Sequence, residues 1–215
     1  MQNAEGSGGA TAWYRRELHG FWRVLGIALT VLVVSLIALG IYRIPAVKQQ
    51  QKSEETVALI QAQNLTMNDV DGKHLPPPPD PKQVDATVAG VDANANGIRD
   101  DVELAIFAKY PNDIRVRAAE LQYAMAEQMY LTSVFSTDTW KAAAIQLDRG
   151  YQCIGETFPR TNLAEFIRVT NQRTEDVENL IFNTKEREVA SQAADKFTTS
   201  FGSDDQSYCD LNSIR

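Results

Sequence analysis

The sequence predicts an all-α protein made of a single N-terminal transmembrane helix, a proline-rich spacer and a C-terminal helical bundle. Three observations predict it. Nineteen residues from Val24 to Tyr42 carry no charge. Beyond Asp100, apolar residues recur at spacings of three and four, the period of a helix with one buried face. No stretch alternates polar and apolar residues between turn signals, as half-buried strands would. Charge is uneven along the chain: residues 1–82 hold 8 basic and 7 acidic groups, whereas residues 83–215 hold 13 and 21. A domain with that acidic excess repels phosphate backbones, so no nucleic-acid partner is expected.

Residues 1–22 read as a short cytoplasmic tail, rich in Gly, Ser and Ala over residues 1–12 and without order there. Residues 23–42 read as the membrane span. At about 1.5 Å of rise per residue, the uncharged stretch 24–42 covers roughly 28 Å, close to the ~30 Å apolar thickness of a bilayer. Trp22 and Tyr42 stand at its ends, where amphipathic rings favour the headgroup layer. A buried core helix would carry a polar stripe, and a cleaved signal peptide a shorter apolar region ending in small residues; Gly40-Ile41-Tyr42-Arg43 offers no such site. Basic residues are balanced across the span: Arg15, Arg16 and Arg23 on one side, Arg43, Lys48 and Lys52 on the other. Orientation is therefore read from the C-terminal part of the chain, whose Asp- and Asn-rich stretch at 92–103, taken up below, and two cysteines suit an extracytoplasmic space.

Residues 43–82 read as stalk and linker. Val47 to Asn64 is rich in Gln and Glu with few apolar positions, as in a short helix leaving the membrane. Pro76-Pro77-Pro78-Pro79 fixes φ and removes amide donors, so a stiff polyproline II arm is expected to hold the domain off the bilayer. The domain itself is expected over 83–215. Helices are predicted from Asp100 to Tyr110, with Pro111 as the stop; from a cap at Asn112 or Asp113 through Ile114, Ala118, Leu121, Met125 and Met129; from a cap at Asp138 through Trp140, Ala144, Leu147 and Tyr151; and from Thr161 or Asn162 through Phe166, Ile167, Thr170, Val177 and Ile181. A weaker helix is predicted from Lys185 to Phe197.

Between spacer and first helix stands Asp92-Ala93-Asn94-Ala95-Asn96-Gly97-Ile98-Arg99-Asp100-Asp101-Val102-Glu103. These twelve residues resemble an EF-hand-type calcium loop, D-x-[DN]-x-[DN]-G closed by Glu. Calcium takes six to eight oxygen ligands, and oxygens on alternate residues of a tight loop can converge on one point. The resemblance implies Asp92, Asn94 and Asn96 as side-chain ligands, the carbonyl of Ile98, Asp100 through water, and Glu103 closing the shell from the first helical turn. No His or Cys lies in the loop, which disfavours zinc and copper. No convincing helix precedes the loop, and its eighth slot, aliphatic in EF-hands, holds Arg99. The arrangement is closer to the helix-leading loops of dockerins, thrombospondin type 3 repeats and bacterial surface proteins. A single loop with three acidic ligands points to weak binding, roughly 10⁻⁴–10⁻³ M. The competing reading is a polar turn in which Asp100 caps the helix.

Cys153 and Cys209 are expected to form a disulfide tying the C-terminal tail to the third helix of the bundle. The only histidines, His19 and His74, lie outside residues 83–215, which excludes a histidine-based nucleophilic site built within the domain. Carboxylate pairs such as Glu175 with Glu178 and Glu186 with Asp195 leave an acid/base envelope hydrolase as the alternative to a structural or interaction module. The expected partners are the bilayer, through residues 24–42, and an envelope or surface protein.

Overall fold

The computed structural model describes residues 8–202 and 207–211, with side chains from Phe21 onward. It divides into two compact units, Met1–Gln51 and Lys52–Arg215. No strand is present among the described residues, and the fold is all-helical.

The first unit is the larger part of a single helix, α1, which spans Gly8–Ala62. The disordered tail read over 1–12 lies outside the described residues up to residue 7, and from Gly8 the chain is already helical. This is one helix long and apolar enough to cross a membrane: its most apolar stretch has a mean hydropathy of 2.8, and none of it is buried by protein. Val24, Ile27, Leu32, Val34, Ile37 and Ile41 are all more than half exposed. An apolar surface of that extent is compatible with lipid association. Thr30 donates its hydroxyl to the carbonyl of Gly26 at 2.9 Å, so its polar group is satisfied within the helix.

The second unit begins at Lys52, with the last turns of α1, and not at residue 83 as the sequence pattern predicts. Ile60 is 2 % exposed, and Ser53 donates to the hydroxyl of Ser136 at 3.0 Å. Leu65 and Val70 enter the same core, the latter from a short helix, α2 (Met67–Val70). The proline run comes after Val70, buries Pro76, and leads to α3 (Pro81–Val84), where Asp80 caps the helix and Pro81 occupies its first position. The run therefore joins two anchored pieces of one domain. Residues on both sides of it are fixed to the bundle.

The bundle comprises α4 (Asp100–Lys109), α5 (Ile114–Ser133), α6 (Thr137–Glu156), α7 (Leu163–Ile181) and α8 (Lys185–Ala194), with a 3-10 turn over Asp195–Phe197. Asp113 and Asn162 cap α5 and α7 by accepting from the amides of Val116 and Glu165. The cap of α6 is Ser136 and not Asp138. The Ser136 hydroxyl takes the Thr139 amide while the Thr139 hydroxyl takes the Ser136 amide, which leaves Asp138 in the first turn, where its charge suits the helix dipole.

Helix α5 is the axis of the domain. Every residue from Arg117 to Leu131 is buried, with α2, α4, α6, α7 and α8 packed around it. Gly150 of α6 permits a close approach to α5: a Cβ there would lie 2.9 Å from the Cα of Tyr123. The polar residues of α5 are buried with partners from distant segments. Arg117 donates to the carbonyl of Val70, Gln128 to that of Ala89, and Gln122 to that of Tyr208. Through these bonds one helix fixes the irregular segments on either side of it.

The disulfide Cys153–Cys209 joins residues 56 positions apart and ties the C-terminal segment onto α6. Asp210 is held there by Arg149 at 2.7 Å, and it accepts from the amide of Leu65 at 2.9 Å. Closing a loop of that length contributes roughly 4 kcal/mol through the unfolded chain.

Candidate metal-binding loop

The loop 92–103 is built by side chains that bond to its own backbone. Asp92, exposed, accepts from the amides of Asn96 (3.2 Å) and Gly97 (2.9 Å), which curls the chain around its carboxylate. Asn96 Oδ1 accepts from the amide of Ile98 at 2.9 Å. Gly97 has φ of +84°, where a Cβ is strained, and a Cβ there would also overlap the amide group of Gln63. That Gln63 amide donates to the carbonyl of Asn96 at 3.2 Å, so the segment after α1 covers the loop. Ile98 is fully buried in the core and anchors the C-terminal half.

Asn94, Asn96 and Glu103 come together. The amide nitrogens of Asn94 and Asn96 lie 3.2 and 3.1 Å from Glu103 Oε2, and Glu103 is 1 % exposed. Asp100 is fully buried; its Oδ1 accepts from the Ala93 amide at 3.0 Å, and its Oδ2 has no partner. The cap of α4 is Arg99, whose side chain does no capping, so Asp100 ties the loop together and does not cap the helix. Among the described residues, no three His, Cys, Asp or Glu side chains converge on one point. Asp92 and Asp100 are turned toward backbone amides instead. A cation among Asn94, Asn96 and Glu103 would need the two carboxamides to present oxygen where they now present nitrogen. For Asn96 that turn competes with its bond to Ile98. The donor set is all oxygen and amide, which suits a hard cation and not a soft one.

The electrostatics of the loop are those of uncompensated negative charge. Burial pushes the Glu103 carboxyl up to about 7; the Asn94 and Asn96 amides oppose this, while Asp100 and Asp69 add to it. Burial raises Asp100 as well, against the pull of the Ala93 amide. Neither carboxylate has an ion-pair partner among the described residues.

Three contributors are invisible to sequence reasoning. Gln63 and Asp69 lie more than twenty positions upstream, in a stretch with no helical or strand period, so nothing local links them to the loop. Arg99 stands out as an anomaly in its slot but has no evident partner in the sequence. One member of each carboxylate pair offered for acid/base work is engaged elsewhere: Glu178 accepts from the Tyr123 hydroxyl at 2.7 Å and Asp195 from the Tyr130 hydroxyl at 2.6 Å. No family model, curated protein or solved structure matches this chain.

Proposed function

We propose that the chain is a membrane-anchored, extracytoplasmic helical domain that binds calcium at residues 92–103 and serves as a structural or interaction module. The observation that carries the calcium reading is the pair of buried carboxylates Asp100 and Glu103, which among the described residues have no cationic side chain against them, with Asp100 Oδ2 left without a hydrogen-bond partner. Burying a carboxylate is tolerable if it is paired, protonated or bound to a metal. Glu103, Asn94 and Asn96 would form the inner part of the shell. Asp92 and the Ile98 carbonyl would close it after a local turn of the loop, with Asp100 contributing through water. The apolar surface of α1 supports the anchor. The disulfide supports a space outside the cytoplasm, where such bonds persist.

The test is calorimetric titration of the full chain in detergent micelles with calcium up to 10 mM. The expected dissociation constant of roughly 10⁻⁴–10⁻³ M corresponds to about 1.4–2.7 kcal/mol of added stability at that concentration. Glu103→Gln should weaken binding at least tenfold while leaving the chelated protein as stable as the native one, since it removes a buried charge. Absence of heat, together with a melting temperature unmoved by chelator, would refute the site.

A further inference from the structure

The eighth slot of the loop carries a second function. Arg99 is fully buried, and its guanidinium leaves the loop to reach the C-terminus of α7. It donates to the carbonyls of Leu180 (2.6 Å) and Ile181 (3.2 Å), two of the last four of that helix, which have no partners within it. A positive charge at this end also suits the helix dipole. Asp101 grips the same guanidinium from the side, at 2.6 and 2.9 Å. The aliphatic stem passes over Gly90, where a Cβ would stand 2.3 Å from Arg99 Cδ and where φ is +69°. Every one of these contacts depends on the chain holding the loop conformation from Gly90 to Asp101.

A second arginine completes the corner. Arg187 of α8, also fully buried, donates to the carbonyls of Val84, Thr87 and Val88 and to the carboxylate of Asp85. Both guanidinium groups reach Asn183 Oδ1, in the turn between α7 and α8. The segment 84–101 and the α7–α8 corner are thus joined by two buried charges that share one acceptor. Such charges must find all their acceptors together, because a half-satisfied buried guanidinium is costly.

We infer that Arg99 is a positioning residue that couples the order of the loop to the α7–α8 corner, so that a cation bound at 92–103 tightens residues 180–187 at a distance. This rests on the calcium reading for its trigger. The coupling itself rests on the Arg99 geometry alone, and the two are tested separately.

The experiment is amide hydrogen exchange on the full chain in micelles, with and without 10 mM calcium. In the native chain, calcium should slow exchange at 92–103 and at 180–187 together, the latter by about tenfold, within the usual range of site-to-site coupling. Arg99→Leu should still bind calcium and protect the loop, with the response at 180–187 falling below about twofold. Arg99→Lys keeps the charge with fewer donors and should give an intermediate response. A corner that responds equally in Arg99→Leu, or that fails to respond in a native chain that binds calcium, overturns the inference. If calcium does not bind at all, the Asp92→Ala and Arg99→Leu cycle decides. Asp92→Ala frees two loop amides, and it should speed exchange at 180–187 about tenfold in the native background but not in Arg99→Leu. Simple additivity of the two substitutions would sink the coupling while leaving the fold intact. Should Arg99→Leu fail to fold, Asp101→Asn, which releases one side of the guanidinium, takes its place in both arms.

Discussion

The domain buries carboxylates in two regions and treats them differently. Between α5 and α7, Glu120 is met by Arg173 at 2.7 Å; at the C-terminal segment, Asp210 is met by Arg149 at the same distance. In the first turn of α4, Asp100 and Glu103 are buried as deeply and meet only amides. Arginines are available nearby, yet Arg99 is directed to α7 and Arg187 to residues 84–88. The bundle supplies a guanidinium to Glu120 and Asp210 and, among the described residues, none to Asp100, Glu103 or Glu127. Asp100 and Glu103 sit in a motif whose residue types are those of a calcium loop.

The largest effect should come from breaking a closed pair. Arg173→Ala strips Glu120 of its main partner and also removes the bond that the Thr157 hydroxyl accepts, leaving that hydroxyl only its bond to the Ile154 carbonyl. Removing one member of a buried ion pair costs about 3–5 kcal/mol, and Lys109, 3.9 Å from Glu120, offsets little of that. Urea denaturation of the full chain in micelles measures it. A cost near that of Glu103→Gln, expected to be close to zero without calcium, would erase the distinction between the two regions.

The helices from Asp100 onward were legible because their period and caps are local properties of the sequence. Ile98, Val102 and Ile106 lie along one face, and Asp113 and Asn162 cap where such residues cap. The sharp turn at 92–97 was legible, since a positive φ at Gly97 and a carboxylate five residues before it are local features. What was hidden depends on long-range partners. Glu120 and Gln128 look like a solvent face of α5, and only the arrival of Arg173 and the Ala89 carbonyl allows them to be buried. Ile60, Leu65 and Val70 carry no period and are interrupted by turns, so the stretch from Lys52 to residue 82 read as a linker. Its core role becomes visible only when Arg117 takes the carbonyl of Val70.

Glu127 sharpens the comparison by showing a third way to bury a carboxyl. It lies inside the bundle beside Tyr123, with Glu178 near and no arginine against it. Burial pushes it up to about 7, opposed by the Tyr123 hydroxyl and aided by Glu178. Its folded value exceeds the 4.5 of the unfolded chain. Between those values the native state holds a proton that the unfolded state releases. Stability should therefore fall as pH rises from about 4.5 to about 7 and level off above, by at most about 3 kcal/mol at roughly 1.4 kcal/mol per pH unit. Measured in the Glu103→Gln background, which leaves Asp100 as the remaining loop carboxyl raised by burial, the decline should become much shallower after Glu127→Gln. A decline unchanged by the second substitution would assign the proton elsewhere.

The smallest effect tests whether burial, and not pairing as such, separates these groups. Helix α7 carries two arginines with glutamate partners: Arg173, buried against Glu120, and Arg168, exposed against Glu165. The geometry of the exposed pair is at least as good, with Nη2 at 2.7 Å and Nε at 3.1 Å from the two carboxylate oxygens. In water the attraction is screened, and two long side chains lose rotamer freedom to hold it. Arg168→Ala should therefore leave the urea midpoint where it is in the native chain, at low salt and in 1 M salt alike. The same helix, residue type and partner type would then give a large effect at one position and none at the other, which leaves desolvation as the variable. A shift at Arg168 comparable to that of Arg173→Ala would mean that the pair matters wherever it stands. The unpaired state of Glu103 and Asp100 would then lose its value as a mark of a binding site.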